Sequence, residues 1–191
     1  MNCRVTGWRR RAALRKLSYG VAAATGLALS AGLCAVRASE LSPELQKSLY
    51  TLAQSQTGLP LPARPPTIHF ASQEELRLLV GCAQCRPNGL QVDEHVYVDA
   101  ALDFSKDYDI SILVHELVHY LQWSMAGPAK SCEEWRNREQ QAFAVQTRVL
   151  EMAGAGTMRV RLSAQLLLRA CRETPDGAAG QFASAPLAGN W

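Results

Sequence analysis

The sequence predicts a small α+β domain in which a short mixed sheet packs on three or more helices. Apolar and polar residues alternate over residues 89–99, which is typical of a strand with one buried face. Two long segments, 107–126 and 132–153, instead repeat their apolar residues at the spacing of a helix. The 153 residues that remain after the first 38 suffice for one domain with a single core. We expect this domain at residues 39–173, followed by a flexible tail at 174–191.

The other elements follow from local patterns along the chain. Residues 44–57 have the amphipathic pattern of an opening helix, and the proline-rich stretch 59–66 predicts a loop. A short strand at 67–70 and a helix at 73–80 are expected next. The segment 158–170 predicts a last helix.

The helix expected at 107–126 has both ends marked. Asp107 is a candidate N-cap, and Gly127 with Pro128 is a candidate stop signal. A helix without a broad polar face is expected to run through the interior of a domain. Apolar residues lie all around this helix: Ile110, Ile112, Leu113, Val114, Leu117, Val118 and Leu121.

This interior helix carries the string His115-Glu116-Leu117-Val118-His119. The two histidines lie one helical turn apart, about 6 Å along the axis, so both imidazoles can reach the same metal ion. Glu116 points about 100° away from His115, where it can contact a water molecule rather than the ion. The spacing therefore predicts a zinc site suited to metal-assisted hydrolysis. Two core histidines without a metal are the alternative interpretation.

A third ligand is expected from the helix predicted at 132–153. Zinc in a hydrolase usually takes three protein ligands and keeps a fourth position for water. On a helical wheel, Glu139 lies within the apolar stripe of this helix, whereas the two earlier glutamates point away. A carboxylate in an apolar stripe needs a metal or a charged partner, so Glu139 is the predicted third ligand. A buried ion pair with Arg148 or Arg161 is the alternative.

His115-Glu116-x-x-His119, followed 20 residues later by Glu139 on a second helix, resembles the gluzincin branch of zinc metallopeptidases. The resemblance implies a zincin-like fold in which Zn²⁺ is held by His115, His119 and Glu139. It also implies that Glu116 is the base that activates water for the cleavage of a peptide bond.

A more local resemblance covers about residues 90 to 150. The segments 113–122 and 138–146 look like small secreted bacterial proteins of an uncharacterised HExxH family. Many gluzincins carry an Asp four residues after the ligand Glu, where this chain has Phe143.

Zincins typically use the strand ahead of the metal helix as a sheet edge to which an extended peptide can pair. The resemblance therefore implies that the strand expected at 89–99 binds a peptide or protein substrate. Tyr97 or His95 on this strand, or Tyr120 one turn from Glu116, is the candidate group that stabilises the oxyanion. A solvated polar face is the alternative for Tyr97 and His95.

The first 38 residues have the pattern of a secretory signal peptide. An apolar run over residues 17–36 is followed by Val36-Arg37-Ala38, which offers small residues for cleavage. The basic residues before this run are Arg4, Arg9, Arg10, Arg11, Arg15 and Lys16. We expect an exported bacterial protein, periplasmic or secreted, whose contact with the membrane is limited to the export signal. An uncleaved membrane anchor is the alternative.

The charge of the chain depends on this N-terminal segment. The full chain has a formal charge of +3, but residues 39–191 hold 13 Lys and Arg against 17 Asp and Glu, a net charge of −4. Because the basic excess lies in the predicted signal peptide, no nucleic-acid partner is expected.

Four of the six cysteines lie after residue 38, and four cysteines allow three pairings. We favour a bond between Cys82 and Cys85 and another between Cys132 and Cys171. A redox motif or half of a structural zinc site at Cys82-Ala-Gln-Cys85 is the alternative.

The sequence thus predicts a secreted zinc metallopeptidase. The alternative function is a non-catalytic zinc-binding envelope module that binds a partner through the strand surface.

Overall fold

A computed structural model describes residues 41–167 of the chain. The prediction of a small α+β domain is confirmed, because this range forms five helices and a three-stranded mixed sheet. The elements in chain order are α1 (Pro43–Thr57), β1 (Thr67–Ala71), α2 (Gln73–Val80), β2 (Gly89–Val92), β3 (His95–Asp99), α3 (Asp107–Ala126), α4 (Cys132–Met152) and α5 (Met158–Leu167). The predicted signal peptide at 1–38 and tail at 174–191 lie outside the described residues.

The sheet has the strand order β1-β3-β2, with β3 parallel to β1 and antiparallel to β2. The prediction of a single strand over 89–99 is therefore wrong, because two short strands occupy this stretch. Asp93, with a φ of 51°, begins the two-residue turn that joins them. Aspartate adopts this left-handed conformation more readily than most residues. Leu90 pairs with Tyr97 across the hairpin, so these two side chains share one face of the sheet.

The two faces of the sheet pack against different helices. Val96 and Val98 of β3 are fully buried in the main core, which also contains residues of α1, α3 and α4. Leu90 packs on the opposite face in a second cluster with Leu76 and Val80 of α2. Helix α3 contacts the sheet, α1 and α4, which confirms the prediction of an interior helix.

The ends of α3 and α4 determine how these two helices face each other. Helix α3 begins one residue earlier than expected, because Lys106 is its N-cap and Asp107, the predicted N-cap, is its first residue. The negative charge of Asp107 in the first turn still interacts favourably with the positive end of the helix dipole. Gly127, with a φ of 69°, ends α3 as predicted, and Ser131 caps α4 by accepting a hydrogen bond from the Glu134 N–H. The short connection places the two helices side by side.

A disulfide joins Cys82 to Cys85 directly after α2, as predicted. Cys132 is also disulfide-bonded, and its predicted partner Cys171 lies outside the described residues. Across residues 41–167, no helix combines the length and the apolar character needed to cross a membrane.

Candidate metal centre

The three predicted metal ligands meet where α3 packs against α4. The Nε2 atoms of His115 and His119 are 3.0 Å apart, as their one-turn spacing allows. Oε2 of Glu139 lies 3.4 Å from Nε2 of His115, and Oε1 lies 3.3 Å from Nε2 of His119. Because all these atoms are close together in the interior, this His-His-Glu group could hold a metal ion.

The distances and the burial of the group fit a small divalent ion. Around a tetrahedral ion with bonds of about 2.0 to 2.1 Å, ligand atoms are separated by about 3.3 to 3.4 Å. Nδ1 of His115 and Oε2 of Glu139 are buried without a hydrogen-bond partner in the part of the chain that the structure describes. Such buried polar atoms are destabilising unless they are satisfied, and a cation would satisfy the carboxylate oxygen.

The electrostatics of the group couple Glu139 to the two histidines. Burial raises the pKa of Glu139, but His119 and His115 outweigh this effect and hold that pKa well below its usual range. Burial lowers the pKa of His119, but the carboxylate of Glu139 outweighs it and raises that pKa to about 9. Without a metal, the group therefore binds a proton at neutral pH, and a metal has to displace this proton.

The arginines considered as alternative partners of Glu139 have other contacts. Arg148 donates a hydrogen bond to Gln56 at 3.3 Å, and Arg161 forms an ion pair with Glu151 at 3.1 Å. Both lie on the surface side of their helices. The buried carboxylate is therefore compensated by imidazoles rather than by a guanidinium group.

Glu116 of α3 is buried against Gly89, the first residue of β2. A β-carbon at Gly89 would lie only 2.8 Å from Cγ of Glu116, so the missing side chain makes room for the glutamate. Burial raises the pKa of Glu116, and the nearby His115 and His119 oppose this shift. The structure thus places a buried carboxyl group of raised pKa beside the His-His-Glu group.

The sequence patterns predicted no role for two further residues that contact the histidines. Nδ1 of His119 lies 2.9 Å from Oε1 of Gln122, one turn further along α3. The ring of His115 packs edge-on against Phe143, with 4.6 Å between the ring centroids. The spacing of three residues between His119 and Gln122 was the available signal for the first contact.

Tyr97 and Tyr120, two of the candidate oxyanion groups, contact residues outside the His-His-Glu group. Tyr97 faces the α2 side of the sheet, where it stacks on His69 at 4.8 Å between ring centroids. Strand alternation is the reason, because Val96 and Val98 occupy the face toward α3.

Tyr120 is buried on another side of α3. Its hydroxyl donates a hydrogen bond to the Arg64 carbonyl at 2.8 Å, and its ring packs near Tyr50 of α1. His95 lies on the same face as Tyr97, with its Nδ1 3.0 Å from Nε2 of His69. The three candidate oxyanion groups therefore contact residues outside the His-His-Glu group.

A cleft of about 260 Å³ opens beside His119 and Glu139. Its walls come from α2, from the edge strand β2 and from the facing ends of α3 and α4. The apolar side chains that line it include Leu79, Leu90, Val92, Trp123 and Trp135. Polar residues, among them Asp93 and Arg138, also line it, so two members of the His-His-Glu group lie in the wall of a cleft of mixed polarity.

Comparisons of the chain with models of protein families, with curated proteins and with solved structures gave no match. The fold and the site together define an α+β domain with a buried His-His-Glu group that could hold a metal ion.

Proposed function

We propose that the protein is an exported zinc-dependent hydrolase, a zincin-like metallopeptidase that cleaves peptide bonds. The observation that carries this proposal is the convergence of His115, His119 and Glu139 beside the buried carboxyl group of Glu116. One helix supplies the base and two ligands, and a neighbouring helix supplies the third ligand. This combination is the one that zinc-assisted hydrolysis needs.

The donor set supports zinc as the metal. Two imidazoles and one carboxylate are ligands that zinc commonly takes in hydrolytic enzymes, and three protein ligands leave a fourth position. When bound, zinc supplies Lewis-acid chemistry, which makes a water molecule more acidic and polarises a substrate carbonyl. His115, His119 and Glu139 hold the ion and fix its place beside the cleft.

Glu116 moves the proton in this mechanism. Its carboxylate accepts a proton from the attacking water and then passes that proton to the leaving amine. The raised pKa suits both steps, because a general base works best when its pKa lies near the working pH. The close approach of the Gly89 backbone restricts where the carboxyl group of Glu116 can lie.

The edge strand β2 supports a peptide or protein as the substrate. Because the strand order is β1-β3-β2, one side of β2 has no partner strand among residues 41–167. Leu90, Gln91 and Val92 of this strand also line the cleft beside His119. An extended peptide can add to such an edge through main-chain hydrogen bonds. The apolar side chains in this cleft, such as Trp123 and Trp135, favour a substrate with an apolar side chain near the bond that is cleaved.

Two observations support export. The basic cluster and apolar run of residues 1–38 fit a signal peptide, and the disulfide between Cys82 and Cys85 is typical of an oxidising compartment. We therefore assign the hydrolase to the periplasm or the secreted fraction of a bacterium.

The test is cleavage of a broad peptide library by the purified zinc-loaded protein, with products identified by mass spectrometry. We expect defined cleavage products, and we expect Glu116→Gln to keep its zinc while losing at least about 100-fold in rate. A protein that binds stoichiometric zinc, cleaves no peptide and behaves identically to Glu116→Gln would contradict the proposal.

A non-catalytic zinc-binding envelope module is the second candidate. The positions of Tyr97 and Tyr120 favour it, because neither hydroxyl lies at the His-His-Glu group to stabilise an oxyanion. The same experiment separates the two candidates, since the envelope module binds zinc and releases no peptide products.

A further inference from the structure

We propose that Gln122 is a positioning residue that holds His119 ready to bind the metal through Nε2. This inference rests on the zinc site of the proposed function. It assigns a role to a buried amide that lies outside the His-Glu-x-x-His string and outside the three ligands.

The orientation of the Gln122 amide is fixed by helix α4. Its nitrogen donates to the carbonyl oxygen of Arg138 at 3.0 Å and to Oε1 of Gln141 at 2.9 Å. Both partner atoms are acceptors, so they require the NH₂ end of the amide. Oε1 of Gln122 therefore faces His119, where it lies 2.9 Å from Nδ1.

This orientation decides which nitrogen of His119 carries the proton. An amide oxygen can only accept, so Nδ1 of His119 must donate, and a neutral imidazole with its proton on Nδ1 has a free lone pair on Nε2. Nε2 is also the atom that lies 3.3 Å from Glu139 and 3.0 Å from His115. Gln122 therefore directs the lone pair of His119 toward the other two ligands.

The second histidine has no comparable support. Nδ1 of His115 has no hydrogen-bond partner among residues 41–167, and its ring packs against Phe143 instead. Among residues 41–167, Gln122 is therefore the residue that orients an imidazole of this group through a hydrogen bond at Nδ1. Because Arg138 directly precedes Glu139, the same amide also ties His119 to the segment of α4 that carries the third ligand.

The test compares the zinc affinity of three full-length proteins by competition with a chelator. Gln122→Leu removes the acceptor for His119. Gln141→Leu is the matched control, because it removes one contact of the amide with α4 but keeps the oxygen that faces His119. We expect Gln122→Leu to bind zinc about 10- to 100-fold more weakly than the wild type. We expect Gln141→Leu to bind it nearly as tightly as the wild type.

A second variant and a spectroscopic measurement keep the inference testable if Gln122→Leu does not fold. Gln122→Glu retains an acceptor for Nδ1 of His119 but no longer donates to Arg138 and Gln141, and we expect its zinc affinity to fall by less than about tenfold. NMR of the zinc-loaded wild type should show a proton on Nδ1 of His119 that exchanges slowly with water. A proton on Nε2 of His119 would overturn the inference whichever variants fold.

The outcomes also separate this inference from the proposed function. If the wild type binds zinc but Gln122→Leu binds it equally tightly, the role of Gln122 is wrong and the zinc site stands. If Gln141→Leu weakens binding as much as Gln122→Leu, the amide merely ties the two helices together, and the inference fails. A wild type that binds no zinc would overturn both proposals.

Discussion

A β-carbon at Gly89 would lie 2.8 Å from Cγ and 3.0 Å from Oε1 of Glu116. A β-carbon essentially never lies closer than 3.0 Å to such a neighbouring atom, so either the strand or the glutamate would have to move. Strand β2 approaches α3 this closely because position 89 has no side chain. The edge of the sheet thereby holds the proposed catalytic carboxyl group in one place.

We therefore predict that Gly89→Ala lowers peptide hydrolysis without removing the metal. Displacing a reacting group by about 1 Å can cost about 100-fold in rate, so we expect a loss of at least about tenfold in kcat. Zinc content should remain that of the wild type, because the contact involves Glu116 and none of the three ligands. Steady-state kinetics on a cleaved peptide and elemental analysis measure the two quantities.

Gly156→Ala is the matched control for this variant. A β-carbon at Gly156 would meet nothing within 4 Å, and we expect its activity and its zinc content to equal those of the wild type. Wild-type kcat in Gly89→Ala would show that the close contact does not position Glu116.

The stability of the metal-free protein should fall as the pH rises above neutrality. Although burial lowers the pKa of His119, Glu139 raises it from 6.5 to about 9, so protonated His119 stabilises the fold. This contribution is complete below pH 6.5 and is lost as the pH rises through 9. Urea unfolding in the presence of a chelator, repeated across this range, measures the fall in the free energy of unfolding.

On the acid side, the stability of the metal-free protein should fall as the pH decreases. The pKa of Glu139 is lowered from 4.5, so the ionised carboxylate stabilises the fold above that pH and the contribution is lost on acidification. Glu139→Gln removes the charge that both effects need, and we expect a much flatter profile. If the variant and the wild type lose stability in parallel between pH 6.5 and 9, the coupling of His119 to Glu139 does not operate.

Tyr97 and Tyr120 should be dispensable for hydrolysis. The Tyr120 hydroxyl donates to the Arg64 carbonyl, so Tyr120→Phe is expected to cost about 1 kcal/mol of stability and to leave kcat unchanged. Tyr97→Phe should also leave kcat unchanged, because this side chain packs on the α2 side of the sheet. A large loss of kcat in either variant at normal zinc content would place that hydroxyl in the mechanism.

The helices and the three members of the His-His-Glu group could be predicted because the geometry of each helix determines which of its own side chains face inward. The spacing of His115 and His119 fixes their separation in α3. Glu139 was selected because it was the early glutamate of α4 on the apolar side, and the structure buries it while leaving Glu133 exposed. In both cases the period of the apolar residues determines which side chains face inward.

The errors concern relationships between elements. The alternation over 89–99 hid a hairpin, because the turn contains no glycine and relies on the left-handed conformation of Asp93. That turn puts Leu90 on the same face as Tyr97, which a single strand would not do. The roles of Gln122 and Gly89 depend on how closely α4 and β2 approach α3. A sequence pattern within one segment does not determine these distances between elements.

The proposed function requires that His115, His119 and Glu139 together hold one zinc ion. Its most direct test is the zinc content and affinity of the full-length wild type, Glu139→Ala and Glu133→Ala, measured by elemental analysis and chelator competition after purification without chelator. Glu133 is an exposed glutamate of the same helix and serves as the control. We predict one zinc ion per chain in the wild type and in Glu133→Ala, and an affinity at least about tenfold lower in Glu139→Ala. A wild type without zinc, or a Glu139→Ala protein that binds zinc as tightly as the wild type, would contradict it.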